Sequence, residues 1–164
     1  MRWNTNKIMD TNTLFIAGQG LTAFMVAAFG LYFQHQQKRL QQNELLFKLY
    51  EKRSEAYIAL AEFCSKVTSK GDAPLGDCFT LLRDGLKNEF LFGSEIRNLI
   101  EDFYKKGVDL RMYEVQLGPE SSLSTDERVR ISKKRSDLLL EIASSFKQNR
   151  EKFKPYLNIL IKSS

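Results

Sequence analysis

The sequence predicts an all-α protein in which an N-terminal transmembrane helix continues into a cytosolic helical bundle of about four helices. Three observations lead to this fold class. Residues 13–33, TLFIAGQGLTAFMVAAFGLYF, contain no charged residue and no proline. Residues 31–70 contain neither glycine nor proline and are rich in helix-forming residues such as Leu, Glu, Gln and Lys. Farther along the chain, apolar residues recur at helical spacing, and no alternating run indicates a strand.

The apolar stretch at residues 13–33 follows a tail of residues 1–12 and has the length of a membrane span. Its twenty-one residues at ~1.5 Å each form a helix of about 31 Å, close to the hydrocarbon thickness of a bilayer. A signal peptide has a shorter apolar region that ends in small residues, whereas this stretch ends in Leu31, Tyr32 and Phe33. We expect an uncleaved transmembrane helix; the alternatives are a cleaved signal and a soluble core helix.

Lysine and arginine flank this stretch unequally, which predicts its orientation. Basic residues favour the cytoplasmic side of a membrane. We therefore expect the N-terminus outside a bacterial inner membrane and the C-terminal domain in the cytoplasm. Reduced, buried thiols at Cys64 and Cys78 agree with that side, because neither has a second cysteine at metal or redox spacing. The flanking basic residues are Arg2 and Lys7 before the stretch, and Lys38, Arg39, Lys48, Lys52 and Arg53 after it.

Small residues recur along one face of the predicted span. Spacings of three and four residues place them on the same side of a helix, where they would allow a partner helix to approach closely. A glutamine beside them would seek a polar partner in lipid. We expect association with a second copy or another protein, although small residues are also common in membrane helices without such a role. The candidate residues are Gln19, Gly20, Ala23, Ala27 and Gly30.

A polar stalk at residues 34–44 precedes the cytosolic bundle at residues 45–164, whose helices are predicted from their apolar stripes. The first has Leu45, Leu46, Leu49, Ala56, Tyr57, Leu60, Phe63 and Val67 on its buried face. The second spans about Asp77 to Phe90, with Phe79, Leu82, Leu86 and Phe90 buried. The third begins after a cap at Ser94 and buries Ile96, Leu99, Ile100, Phe103, Leu110, Tyr113 and Leu117, with Gly107 as a weak point.

The fourth helix has the clearest local signal. Ser124 and Glu127 have the spacing of a capping box, in which each side chain pairs with the backbone of the other residue. Pro155 is expected to end this helix. Its predicted buried face consists of Ile131, Leu138, Leu139, Ile142, Phe146 and Phe153.

Three stretches carry a resemblance to a known group of proteins. They are LLFKLYEKRSEAYIALAEF (45–63), NEFLFGSEIRNLIEDFYKKGVDL (88–110) and EKFKPYLNIL (151–160). With these motifs the chain resembles uncharacterised small bacterial single-pass membrane proteins with a cytosolic helical domain. The resemblance implies one N-terminal span and a helical domain, and it implies no activity. Similar small membrane-anchored helical proteins occur as effectors in bacterial anti-phage systems, which is an analogy with a class of proteins.

The densest basic run lies in the fourth helix and is a candidate for contact with lipid or a partner. It could face anionic lipid or nucleic acid, or it could be a solvated helix face. Nucleic acid is disfavoured, because no aromatic residues for base stacking are interleaved with the run. The Lys52, Arg53 and Glu55 cluster has two similar interpretations, a partner site or an ion-paired surface. The run consists of Arg128, Arg130, Lys133, Lys134 and Arg135.

The sequence contains few of the residue arrangements that catalysis requires. The single histidine, His35, adjoins the predicted span, so no Ser-His or Cys-His pair is expected in the bundle. No clustered metal ligands and no phosphate-binding glycine loop occur. We therefore expect no enzyme activity, no cofactor and no metal. The expected function is a non-enzymatic effector that perturbs the membrane in an anti-phage or toxin-like system, with a bundle that binds a partner; the alternative is a passive tethered adaptor or scaffold.

Overall fold

The computed structural model describes residues 11–119 and 121–158, without the side chains of residues 11–18, 20 and 21. It confirms the all-α prediction, and no strand occurs in these described ranges. Four long helices follow one another, with two 3-10 turns, Glu89–Leu91 and Arg150–Phe153. The helices are α1 (Thr11–Lys70), α2 (Leu75–Leu86), α3 (Ser94–Leu117) and α4 (Thr125–Asn149), and a single helical turn, α5 (Lys154–Leu157), comes last.

The chain divides into two units, Met1–Leu45 and Leu46–Ser164, and α1 contributes residues to both. In the first unit, every described side chain from residue 22 to residue 34 is exposed. Over the described residues, none of the helices has both the length and the apolar character that a membrane crossing requires. The side chains of residues 13–18, 20 and 21, which belong to the predicted span, lie outside those described. The span therefore stays a prediction.

The second unit is a helical bundle, and the second half of α1 supplies one wall of its core. Ala56, Leu60, Phe63 and Val67 are all buried, as the helical spacing predicts. The predicted start of this stripe is wrong, because Leu45 and Leu46 are exposed. The stripe becomes a core only where α1 packs against other helices, and that packing begins after these two leucines.

The buried face of α2 differs from the predicted one. The helix ends at Leu86, and Phe79 and Phe90, expected in the core, are 56% and 79% exposed. Its buried residues are Cys78, Leu81 and Gly85. A Cβ on Gly85 would lie 3.0 Å from Cγ2 of Ile100. The helix therefore turns a narrow face with a glycine toward α3, which brings the two backbones close together.

The buried face of α3 is the predicted one from Ile96 to Leu110, whereas Tyr113 and Leu117 are only partly buried. Ile96, Leu99, Ile100, Phe103 and Leu110 are buried as expected. The start of the helix also differs from the prediction. The cap is Gly93 rather than Ser94, because Ser94 already belongs to the first turn, and the cap residue makes no side-chain hydrogen bond. Gly107, predicted as a weak point, is buried inside an uninterrupted helix.

The start of α4 confirms the capping box. The backbone N–H of Glu127 donates to Oγ of Ser124 over 3.4 Å, and the N–H of Ser124 donates to the Glu127 carboxylate over 3.0 Å. The predicted end is wrong: α4 ends at Asn149, and Pro155 lies within the first turn of α5. Proline is compatible with that position, since the first turn of a helix needs no donor from it.

Replacing Gly107 by alanine should destabilise the bundle. The new Cβ would lie 2.7 Å from Cζ of Phe63 and 2.8 Å from Sγ of Cys78, closer than Cβ atoms normally approach. Overpacking of this kind costs roughly 1–3 kcal/mol, more than the helix propensity that alanine gains. Thermal or urea unfolding of the full chain, followed by circular dichroism, measures the loss.

Gly76→Ala is the matched control, because a Cβ on this α2 glycine meets nothing within 4 Å. The control should be as stable as the original chain or more so. Equal stability of the Gly107→Ala and Gly76→Ala variants would contradict the close packing inferred at Gly107.

Candidate functional site

The strongest concentration of polar contacts surrounds Tyr156 in α5. The phenol oxygen of Tyr156 accepts a hydrogen bond of 2.9 Å from the backbone N–H of Gly93 and donates to the carboxylate of Glu95. On its other side, Nη1 of Arg53 donates to the carbonyl oxygen of Tyr156 over 3.2 Å. The Arg53 guanidinium carbon also lies 5.6 Å from the centre of the tyrosine ring, within cation–π range. The C-terminal segment is thus joined to α1 and to the start of α3. We name Arg53, Gly93, Glu95 and Tyr156 the Tyr156 cluster.

Aromatic side chains surround the same position. Phe92 meets both Phe153 and Tyr156 edge to face, with ring centres 6.2 Å and 5.2 Å apart. Tyr57 on α1 meets Phe153 in the same way at 5.4 Å and stacks against Phe146 of α4 at 6.2 Å. Each of these ring pairs adds stabilisation beyond the area it buries. The polar contacts of the Tyr156 cluster therefore rest on an apolar support.

Three stretches singled out in the sequence, residues 45–63, 88–110 and 151–160, meet at this cluster. Arg53 and Tyr57 belong to residues 45–63, Glu95 belongs to residues 88–110, and Tyr156 belongs to residues 151–160. Periodicity could not reveal the contact, because a tyrosine hydroxyl carries no helical pattern. The three stretches pack together at this cluster and fix the end of the described chain.

Arg53 has an unusual place within this cluster. Its Nε atom is buried and has no hydrogen-bond partner in the part of the chain that the structure describes. Its neighbour Lys52 forms an ion pair of 2.6 Å with Glu55, and Asn88 donates to the same carboxylate over 2.9 Å. Lys52 and Glu55 thus form an ion-paired surface, whereas Arg53 points to the C-terminal segment.

Hydrogen bonding shifts the proton affinities of two members of the cluster. The hydrogen bond from Tyr156 lowers the pKa of Glu95, because it stabilises the carboxylate. The same bond raises the pKa of Tyr156, because it stabilises the protonated phenol. This pair is therefore intact when Glu95 is ionised and Tyr156 is protonated.

The basic run of α4 separates into two groups. Arg128 donates to the carbonyl oxygen of Leu117 over 2.8 Å and so binds the C-terminal end of α3. Arg135 pairs with Glu114 and donates to the carbonyl oxygen of Gly71, at the turn that follows α1. These two arginines hold helices together. The other three, Arg130, Lys133 and Lys134, are exposed.

A cavity of about 870 Å³ lies between the end of α3, the start of α4 and the loop that joins them. Arg130 and Lys134 line it, and Lys133 does not. Hydroxyl groups and apolar side chains complete the wall. The lining residues from α3 and the loop are Tyr113, Val115, Gln116, Gly118, Pro119, Ser121, Ser122 and Leu123, and Ile131 joins the two cations from α4.

The residues predicted to mediate association of the span lie on α1. Gln19, Ala23, Ala27 and Gly30 are exposed, and nothing lies within 4 Å of the position a Cβ would take on Gly30. The carbonyl oxygen of Gln19 accepts a hydrogen bond of 2.9 Å from the Thr22 hydroxyl. The surroundings of Gly20 lie outside the described residues.

Both cysteines are free and buried, as their isolation in the sequence predicts. Burial raises the pKa of Cys64 to about 12 and that of Cys78 to about 11. Such thiols remain protonated at neutral pH and are poor nucleophiles. In the described ranges, no three potential ligands lie close enough to hold a metal ion.

Comparison with known proteins adds no relative. No protein-family model matches the chain, no curated protein is significantly similar to it, and no solved structure matches it.

Replacing Tyr156 by phenylalanine should remove the hydroxyl contacts and keep the ring contacts. We expect a small loss in the free energy of unfolding at neutral pH, because the Gly93 N–H and the Glu95 carboxylate each lose a hydrogen-bond partner. Because the folded-state pKa of Glu95 is lowered, the contribution of this pair is present above the ordinary carboxyl pKa and is lost as the pH falls through the folded-state value.

The difference in stability between the original chain and Tyr156→Phe should therefore shrink on acidification. Urea unfolding of both proteins at a series of pH values measures this trend. Tyr113→Phe is the control, since the Tyr113 hydroxyl makes no hydrogen bond to another described residue. A gap between original chain and Tyr156→Phe that stays constant down to the most acidic pH would contradict the Glu95 assignment.

Proposed function

We propose that the chain is a non-enzymatic, single-pass protein of a bacterial inner membrane that crosses the bilayer at residues 13–33. The observation that supports this proposal is the set of large apolar side chains exposed on all sides of α1. Exposed apolar groups in such density are unfavourable in water and favourable in lipid. The side chains are those of Phe24, Met25, Val26, Phe29, Leu31, Tyr32 and Phe33.

In this proposal the span contributes to function by associating with other spans, in addition to anchoring the chain. Gly20, Ala23, Ala27 and Gly30 share one face of a helix, and small residues permit close contact between membrane helices. The assembled spans would perturb the membrane. The bundle would bind a protein partner, and release of the chain from that partner would allow the perturbation. Such a protein fits the effector role of an anti-phage or toxin-like system, in line with the resemblance of its three motif stretches to small membrane proteins.

A passive tether is the second candidate. In that case the bundle alone functions as an adaptor or scaffold, and the span only holds it at the membrane. The observation that favours it is the extent to which the bundle is fixed by its own contacts, such as the Tyr156 cluster. An unrelated span would then replace residues 13–33 without loss.

Topology is the first test. Thr5→Cys should react with a membrane-impermeant maleimide in intact cells, whereas Ser164→Cys should react only after lysis. Cys64 and Cys78 should not react with the maleimide in the folded protein, because both thiols are buried and protonated at neutral pH. Labelling of Ser164→Cys in intact cells would reverse the orientation, and recovery of the chain in the soluble fraction would reject the span.

The small-residue face is the second test. The double variant Gly20→Leu and Ala27→Leu should insert normally but lose self-association, measured by cross-linking, and membrane damage, measured by dye uptake after expression. The physical reason is that a leucine at either position keeps two helix backbones apart.

The matched control is the double variant Gly18→Leu and Ala28→Leu. It makes the same two changes, one glycine and one alanine to leucine, on other sides of the helix at about 100° per residue. The control should associate and damage the membrane like the original chain. Full dye uptake by the Gly20→Leu and Ala27→Leu variant would leave the passive tether as the better account.

A further inference from the structure

We propose that the cavity between α3 and α4 binds a phosphate ester whose uncharged part is apolar or aromatic. Arg130 and Lys134, four residues apart, lie on one face of α4 and both line the cavity. Neither forms an ion pair or a hydrogen bond with another described residue, unlike Arg128 and Arg135 of the same run. Two cations facing one cavity create a local positive potential that favours an anion.

Hydroxyl groups in the same wall supply further donors. The side chains of Tyr113 and Ser122 make no hydrogen bond to other described residues, and both line the cavity. A phosphate has several acceptor oxygens, which a planar guanidinium, an ammonium and two hydroxyls can share. The donor set therefore fits a phosphate better than a neutral group.

Two of the nearby carboxylates have partners of their own. Glu127 accepts hydrogen bonds from the N–H and the hydroxyl of Ser124 within the capping box. Glu114 pairs with Arg135. Glu120, which lies between two lining residues in the sequence, is outside the described residues. Arg130 interacts electrostatically with Glu127, yet neither Arg130 nor Lys134 lies within ion-pair distance of a carboxylate among the described residues.

The remaining wall indicates what the phosphate is attached to. Val115, Pro119, Leu123 and Ile131 are apolar, and the Tyr113 ring offers an aromatic face. The volume of about 870 Å³ falls within the range of small-molecule sites. A nucleoside monophosphate and the headgroup region of an anionic lipid both combine a phosphate with such a part. This inference does not depend on the proposed membrane function.

The test uses the full chain in a non-ionic detergent. Calorimetric titration with adenosine monophosphate and with inorganic phosphate measures binding of the free ligands, and native mass spectrometry with phosphatidylglycerol counts bound lipid. We expect saturable binding of the nucleotide, of the lipid, or of both, with inorganic phosphate weaker because it lacks the apolar part. Binding of the nucleotide alone identifies a soluble ligand, and binding of the lipid alone identifies a headgroup.

The double variant Arg130→Gln and Lys134→Gln should weaken binding by roughly tenfold or more, since charge-assisted hydrogen bonds are lost. Lys133→Gln with Lys147→Gln removes the same charge from exposed positions of α4 outside the cavity and should change affinity less than about twofold. Tyr113→Phe should weaken binding by a smaller factor without changing the charge.

Three results would contradict the proposal. One is the absence of saturable binding of every phosphate probe by the original chain. Another is an equal loss in the cavity variant and the Lys133 and Lys147 control, which would show attraction to net charge alone. Binding of inorganic phosphate as tight as that of the nucleotide and lipid would refute the apolar part. Circular dichroism checks that each variant is folded; Arg130, Lys133, Lys134 and Lys147 are exposed and Tyr113 is half-buried.

Discussion

The bundle depends on one close approach, where α1, α2 and α3 meet at Gly107. Phe63 of α1 and Cys78 of α2 both reach the space that a Cβ at this position would occupy. A buried glycine inside a helix costs stability by itself, of the order of 1 kcal/mol relative to alanine. This cost is offset because the side chains of Phe63 and Cys78 pack into the space beside the glycine. Packing without voids then fixes the rotation of α2, so its narrow face with Cys78 and Gly85 turns inward.

The position of the C-terminal segment follows from that packing. Once α1 and α3 are held together, Arg53 and Glu95 stand on either side of the groove that α5 enters, and Tyr156 can contact both. The contacts have different physical origins: a backbone donor at Gly93, a carboxylate and a cation above the ring. They converge on one side chain, beside the buried ring of Phe153, so directional contacts and apolar packing together fix the end of the bundle.

Sequence reasoning found the features that depend on local pattern. The buried stripe of α3 from Ile96 to Leu110 follows from the helical period, and the capping box at Ser124 follows from hydrogen bonding within one turn; both are as predicted. The rotation of α2 could not be found in this way. Hydrophobicity ranks Phe79 above Gly85 for burial, yet close backbone packing favours the smaller residue, and that choice depends on Ile100 in another helix. The Tyr156 contacts could not be predicted from the sequence either, because the residues that form them lie far apart along the chain.

The basic run of α4 is another case in which the sequence pattern does not reveal the tertiary contacts of each residue. Five cations in eight residues look alike in a sequence, and their common charge suggests one role. Tertiary structure assigns them different roles, because Arg128 and Arg135 each reach a backbone carbonyl on a neighbouring segment. A carbonyl at a helix end or a turn lacks an intrahelical donor, so a guanidinium there satisfies a group that would otherwise need water. Arg130 and Lys134 make no such bond to a described residue and line the cavity instead, which supports the phosphate site proposed there.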